Sequence, residues 1–274
     1  MKAELVFVGT ELLLGDILNT NAQYLARRLS DLGIDNYFQV TVGDNAARLA
    51  FTVRQALERA DVVIATGGLG PTMDDLTKET IAEVLGVPLV MHGPSLARLE
   101  GFFTTRGRRM TENNRKQALL PEGAIVMTNE VGTAPGMIAE WQGKAVAILP
   151  GPPNEMVPMF EDHLAPYLVS RSGGELKRLV SVTLKFCGIG ESAVEARLSD
   201  LIAGQGDPTI APYAKMGEVH LRLSTKASSE QDGLDRIRQV EEEIRRRLGH
   251  HIFGKNQDTL EGAVGGLLRE RGVT

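Results

Sequence analysis

The chain contains one cysteine, Cys187, in 274 residues. That excludes an internal disulfide and any multi-cysteine metal site, and it makes a reducing cytoplasm the simplest home. At the end of a strand, the thiol is expected to be a small core residue. Long apolar runs are also missing. No segment approaches the roughly 20 apolar residues of a membrane helix, and the start, MKAELVFVGTE, has one lysine and too short an apolar stretch for a signal peptide. No membrane association is expected. There is no excess of basic charge either: 30 Lys and Arg against 35 Asp and Glu leave a net −5, which argues against general nucleic-acid affinity. The chain lacks a GxxxxGK(S/T) phosphate loop, an HExxH pair, a GxSxG elbow and a glutamate-rich helix of the Nudix kind. Heptads, low-complexity tracts and internal repeats are absent.

What is present is a chain with 42% hydrophobic residues, enough for a substantial core in one large or two ordinary domains. Strands and amphipathic helices alternate at first: ELVFVG, a helix over 21–32 ended by Gly33, NYFQVTV, a helix over 46–59, DVVIAT, and later IVMT, GMIAEW and KAVAILP. The fold class expected is α/β, a mostly parallel sheet with helices on both faces. Ligands of such sheets bind beyond the carboxyl ends of the strands. The loops GTELLLG, VGDN, TGGLGPTMDD and LPGPPNEM each follow a strand, so parallel strands would set all four along one edge.

After RSGGE, a linker by composition, the texture changes to a compact α+β module. It runs through RLVSVTLKFC, a helix over 191–202, strands near TIAPYA and EVHLRLST, and a long helix over 229–248 whose glutamates each precede an arginine by four residues. That charge run is expected to be a solvated face. In the tail, Asp258 with Glu261 resembles a capping box for an apolar-faced helix, and a helix ending in Gly-Val-Thr usually leads into a strand, as in the front part of a longer protein. His92, His163 and His220 are scattered. His250 and His251, adjacent in a strand, would face opposite ways and are expected at surface and core positions rather than on a metal.

The turn TGGLGPTMDDLTKE, 66–79, is the most informative stretch. Glycines between a buried strand and a helix N-terminus can present backbone N–H groups to an anion. Asp74 and Asp75 would repel a phosphate there unless a divalent cation bridged them. The competing reading is an ordinary tight connection with a capping aspartate.

GTELLLGDILNTN, TGGLGPTMDDLT, ENNRKQA, GTAPG and LPGPPNEM, in this order and spacing, closely resemble the competence- and damage-inducible CinA family over essentially the whole chain. The front part also resembles the molybdopterin-binding family, which shares the glycine turn and the LPG loop. The resemblance implies a catalytic domain over 1–170 that hydrolyses ADP-ribose to AMP and ribose 5-phosphate with a divalent cation (Mg, Co or Ni), often aided by potassium. It further implies a KH-like domain over 171–254, and a linker helix over 255–274 toward a nicotinamide-nucleotide amidase domain absent here, so no amidase activity is expected. A homodimer and a small nucleotide substrate are also implied.

By that resemblance Asp75 is the active-site aspartate of the glycine turn, Asp44 the second acidic position, and Asp74 an extra carboxylate favouring metal-assisted hydrolysis over pterin adenylylation. The expected metal set is Asp44, Asp74 and Asp75, with Glu11 a further ligand or base, its alternative being a helix-start residue. Gly67, Gly68, Gly70 and Thr72 would offer donors to phosphate oxygens. Asn114 and Arg115 sit on a short helix, Arg115 as a phosphate clamp or else a surface ion pair. Thr133 and Gly136 could approach the nucleotide, and Pro150, Gly151 and Pro152 could line the pocket or merely stiffen the loop. Two other functions remain open: a molybdopterin-handling protein, and a KH-like binding or scaffolding module. Against RNA binding by the latter, GIGE, 188–191, follows a strand rather than joining two helices.

Overall fold

A computed structural model describes residues 1–173, 177–204 and 206–273. Part of RSGGE, Gly174 and Glu175, lies outside the described residues. The chain divides into two compact units, Met1–Gly174 and Glu175–Thr274.

In the first unit the elements are β1 (Lys2–Val8), α1 (Thr10–Leu14), α2 (Thr20–Asp31), β2 (Asp35–Val42), α3 (Ala46–Arg59), β3 (Val62–Thr66), α4 (Thr77–Leu85), β4 (Leu89–Met91), α5 (Gly93–Thr105), α6 (Glu112–Arg115), β5 (Leu119–Pro121), β6 (Ile125–Met127), β7 (Gly136–Trp141), β8 (Lys144–Leu149), α7 (Pro153–Met159) and α8 (Ala165–Arg171). The main sheet runs β2-β1-β3-β8-β7-β6. Its first four strands are mutually parallel, β7 runs antiparallel to β8, and β6 antiparallel to β7. β3 is VVIAT, buried at every position, which is what a strand covered on both faces requires. On one face Val6, Val63, Val146 and Ile148 pack with Leu49 and Val53 of α3 and Ile81 of α4. Alternation turns Leu5 and Phe7 to the other face, where α2, buried at Leu25 and Leu29, contacts β1 and α7. Asn19 and Asn45 cap α2 and α3 by accepting from the N–H groups of Ala22 and Arg48. β4 and β5 form a separate two-stranded antiparallel sheet, with α5 and α6 between them in the chain.

In the second unit, β9 (Arg178–Phe186), α9 (Glu191–Ala203), β10 (Thr209–Lys215), β11 (Glu218–Ala227), α10 (Glu230–Leu248), β12 (Ile252–Lys255) and α11 (Leu260–Glu270) form an antiparallel sheet β10-β11-β9-β12 with helices packed on it. β9 alternates cleanly, with Val180, Val182, Leu184 and Phe186 inward against Ile237, Ile244 and Leu248. β12 escapes pattern reading because it is four half-buried residues with a register shift before Gly254. The glutamates of α10 divide: Glu243 meets Arg246 and Arg247 at the surface, whereas Glu241 is buried between Arg245 and Lys255.

Two expectations for this unit need correction. His250 and His251 sit on a 3-10 turn rather than a strand, so their rings do not diverge: the centroids are 4.0 Å apart. Asp258 does not cap α11. Its carboxylate accepts from the Lys255 N–H and closes the turn after β12, and Thr259 provides the cap by accepting from the Gly262 N–H. Among the described residues, no helix is long and apolar enough to cross a membrane.

Candidate active site

The chain runs from β1 outward to the edge strand β2, then returns past β1 to β3 and β8, so the winding reverses between β1 and β3. Such a reversal opens a crevice beyond the carboxyl ends of the strands. A cavity of about 540 Å³ lies there, walled by the four loops that follow β1, β2, β3 and β8. Backbone hydrogen bonds knit these loops just past the strands: the Gly9 N–H donates to the Val42 carbonyl at 3.0 Å, and the Gly67 N–H to that of Leu149 at 3.1 Å.

The cavity brings together Glu11, Asp44, Asp74 and Asp75, the glycines Gly67, Gly68 and Gly70, and Thr133, Pro150, Gly151 and Pro152. Two of the carboxylates are held by local donors. Asp75 Oδ2 accepts from the Thr72 N–H at 2.9 Å and from the Thr72 hydroxyl, closing the turn on itself. Asp44 Oδ2 accepts from the Thr10 N–H at 2.9 Å and the Thr10 hydroxyl at 2.8 Å, tying the β1 loop to the β2 loop. Glu11 and Asp74 are exposed. Among the described residues, no three His, Cys, Asp or Glu side chains stand close enough to hold a metal by themselves.

Four expected contacts fall outside the cavity lining. Thr72 spends both its N–H and its hydroxyl on Asp75, so it orients the aspartate and not a phosphate. Asn114 Oδ1 accepts from the N–H and hydroxyl of Thr111 and completes a capping box on its own helix. Arg115 pairs with Glu112 at 3.5 Å and Glu100 at 3.9 Å, the surface ion pair rather than the clamp. Gly136 is a packing position at the start of β7, where a Cβ would meet Met159 Sδ and the Ile148 carbonyl.

Two lysines at the back of the turn are functional candidates that sequence reasoning passed over. Lys116 Nζ donates to the carbonyls of Thr72 and Asp75, the latter at 2.9 Å, and Lys78 Nζ donates to the Lys116 carbonyl. They therefore hold the aspartate turn in place and set positive charge behind it, offsetting the carboxylates that would repel a phosphate. A signal for Lys78 was available: a cation in the first turn of a helix opposes the helix dipole and needs another reason to be there.

Burial pushes the Lys78 amine down from 10.5 to about 8. Below pH 8 both folded and unfolded chains carry the proton. Between about 8 and 10.5 the unfolded chain binds more protons, so the contribution of this residue to stability rises with pH, by up to about 3 kcal/mol. Urea unfolding of the wild type and of Lys78→Met from pH 7 to 10.5 isolates it. The wild type should gain stability relative to the variant, and parallel pH curves would remove the assignment.

Residues 4–170 match the family described as a probable molybdopterin binding domain, and residues 181–254 match the damage-inducible protein CinA KH domain. The chain belongs to the CinA family. A putative competence-damage inducible protein of Symbiobacterium thermophilum is 60% identical over the whole of this chain, and a CinA-like protein of Dictyoglomus turgidum is 54% identical. This CinA-family chain spans 65% and 66% of the length of those two relatives. A crystal structure of a CinA protein of unknown function from Thermoplasma acidophilum superposes with a TM-score of 0.56 at 35% identity, covering 60% of this chain and 96% of that one.

Proposed function

We propose that the first unit hydrolyses the pyrophosphate of ADP-ribose, giving AMP and ribose 5-phosphate, with a divalent cation. The observation that carries this reading is the convergence of a glycine turn and four carboxylates on one cavity at the sheet reversal. The donors are all carboxylate oxygens, which suit a hard cation. Mg²⁺ in particular is usually held by one or two carboxylates with substrate phosphates and water completing its shell, so the lack of a three-carboxylate cage fits it. Asp44 and Asp75 would hold it, each through the oxygen left free by its threonine, with Asp74 at the rim. When bound, the cation supplies charge neutralisation on the phosphate oxygens.

The chain's own groups do the remainder. The Gly67 N–H is spent on the Leu149 carbonyl, which leaves those of Gly68 and Gly70 to donate to phosphate oxygens, and the lysine pair keeps the turn rigid and favourable to an anion. The Glu11 carboxylate has no hydrogen-bond or ion-pair partner among the described residues and lines the cavity, so it is free to take a proton from the attacking water. Glu11 stands in the first turn of α1, with its carboxylate packed over Gly9 just past the end of β1. The deciding experiment is AMP release from ADP-ribose with Mg²⁺, Co²⁺ or Ni²⁺ added singly. If no cation supports turnover, the reading is wrong.

The family description favours a second reading, a molybdopterin-handling site in the same cavity. Tight binding of molybdopterin without cleavage of ADP-ribose would select it.

A further inference from the structure

A second cavity, of about 690 Å³, lies in the first unit between α5 and the chain from Val126 to Pro135. Among the described residues it has Thr133 alone in common with the cavity at the sheet reversal. The loop that carries Thr133 is held by Asn129, 5% exposed. Asn129 Oδ1 accepts from the N–H groups of Val131 at 3.1 Å and Gly132 at 2.7 Å, and Nδ2 donates to the Ala134 carbonyl at 2.9 Å and to Glu155 Oε2 at 2.6 Å. From α5, Arg98 clamps the same loop, donating to the Asn129 carbonyl at 3.1 Å and to Glu130 Oε2 at 2.5 Å. The cavity is therefore formed in advance of any ligand, as small-molecule sites usually are.

Its lining narrows the ligand. The apolar part is Leu99, 2% exposed, with Val126 and Pro135. Most of its polar side chains are engaged elsewhere. His92 caps α5, its Nδ1 accepting from the Ser95 N–H at 3.3 Å; the Thr105 hydroxyl donates to the Gly101 carbonyl at 2.9 Å; and Glu130 neutralises Arg98. Arg106 is the exception. Its guanidinium lies over the Phe102 ring, 3.6 Å from the centroid, donates to the Phe102 carbonyl at 3.4 Å, and meets no carboxylate among the described residues. Arg108 and Arg109, exposed and next in the chain, meet none either. In a chain of net charge −5 this is an uncompensated positive end beside an apolar wall. A guanidinium stacked on a ring keeps its N–H edge free for a phosphate, and neighbouring guanidiniums suit a dianion better than a carboxylate.

We propose that this cavity is a second ligand site, for an aromatic phosphate of about mononucleotide size, its ring against Leu99, Val126 and Pro135 and its phosphate on Arg106. The site shares no charged group with the glycine turn, and it stands whether or not the first cavity hydrolyses ADP-ribose.

The test is titration calorimetry on the full chain without added metal, with 1-naphthyl phosphate as the probe and 1-naphthol as its uncharged counterpart. The wild type should bind the phosphate about ten- to a hundredfold more tightly than the naphthol. Two variants locate the site. Gly101 is exposed on α5, lines the cavity, and a Cβ there meets nothing within 4 Å, so Gly101→Trp fills the space without straining the helix. It should weaken both probes about tenfold or more. Arg106→Gln should weaken the phosphate by the same factor and leave the naphthol unchanged. Asp75→Asn, in the first cavity, should bind the probe as the wild type does. Equal wild-type affinity for phosphate and naphthol overturns the proposal even if a variant fails to fold, and so does no binding of the phosphate. Unchanged binding in folded Gly101→Trp, or a loss in Asp75→Asn, overturns it by placing the probe elsewhere. Because no arm measures AMP release, failure of hydrolysis and failure of this site are read separately.

Discussion

Asp75→Asn should lower the rate of AMP release from ADP-ribose by about 10²–10⁴-fold while leaving the unfolding midpoint nearly unchanged. The two halves of that expectation have separate causes. The Asn Oδ1 atom can take the place of Asp75 Oδ2 and still accept the N–H and hydroxyl of Thr72, and the Lys116 bond runs to the Asp75 backbone carbonyl, which the substitution does not touch. The turn therefore closes as before. The lost negative charge, however, is one of the few carboxylates that face the cavity and could hold a cation against a phosphate. Steady-state rates at saturating ADP-ribose, with far-UV circular dichroism and urea unfolding as controls, separate these effects. An unchanged rate would mean that Asp75 is only the clasp of its turn.

The second large effect is expected for Gly67→Ala, which should destabilise the chain by about 2–5 kcal/mol and abolish ligand binding. Gly67 has φ of +98°, outside the range comfortable for L side chains, and a Cβ there would press into the Val8 carbonyl oxygen. That carbonyl cannot swing away, because β1 is paired on both sides, by β2 and β3. The Gly67 N–H meanwhile holds the end of β8 through Leu149. The added methyl therefore pushes apart the ends of the strands that carry the site loops. Gly86→Ala is the control: φ is +70° with open space around it, so only the left-handed strain of about 1 kcal/mol should appear. Urea unfolding of both variants decides. If Gly67→Ala is no worse than Gly86→Ala, the close approach of β1 and the turn has no energetic weight.

Much of the fold was legible because local signals agreed. The β3 run VVIAT between a helix and a glycine turn reads as a buried parallel strand, and α3 begins after Asn45 and ends at Arg59 where its apolar period does. The four loops were placed on one edge by a general rule of parallel sheets, and β1, β2, β3 and β8 do run parallel there. The strand β4 lies where a strand between two helices was read, and β6 where IVMT was, whereas β5 and β12 were not singled out.

The site was legible in its charges and not in its hydrogen bonds. Arg115 looked like a clamp because an arginine in a polar motif has the right chemistry, yet Glu100 and Glu112 are nearer than the cavity. Thr72 looked like a phosphate donor, yet a carboxylate three residues on takes both its donors. Asp258 looked like a cap and instead closes the turn behind it.

The sequence by itself therefore determined that this is an α/β chain with an acidic, glycine-rich turn after its third strand and a smaller α+β module behind it, because hydrophobic period and turn chemistry act over neighbouring residues. Only the tertiary structure decided which carboxylates share a cavity, and that Lys78 and Lys116 stand behind the aspartates. Those facts depend on residues dozens of positions apart meeting across strand ends, and a donor is spent or free only once every competing acceptor is in place.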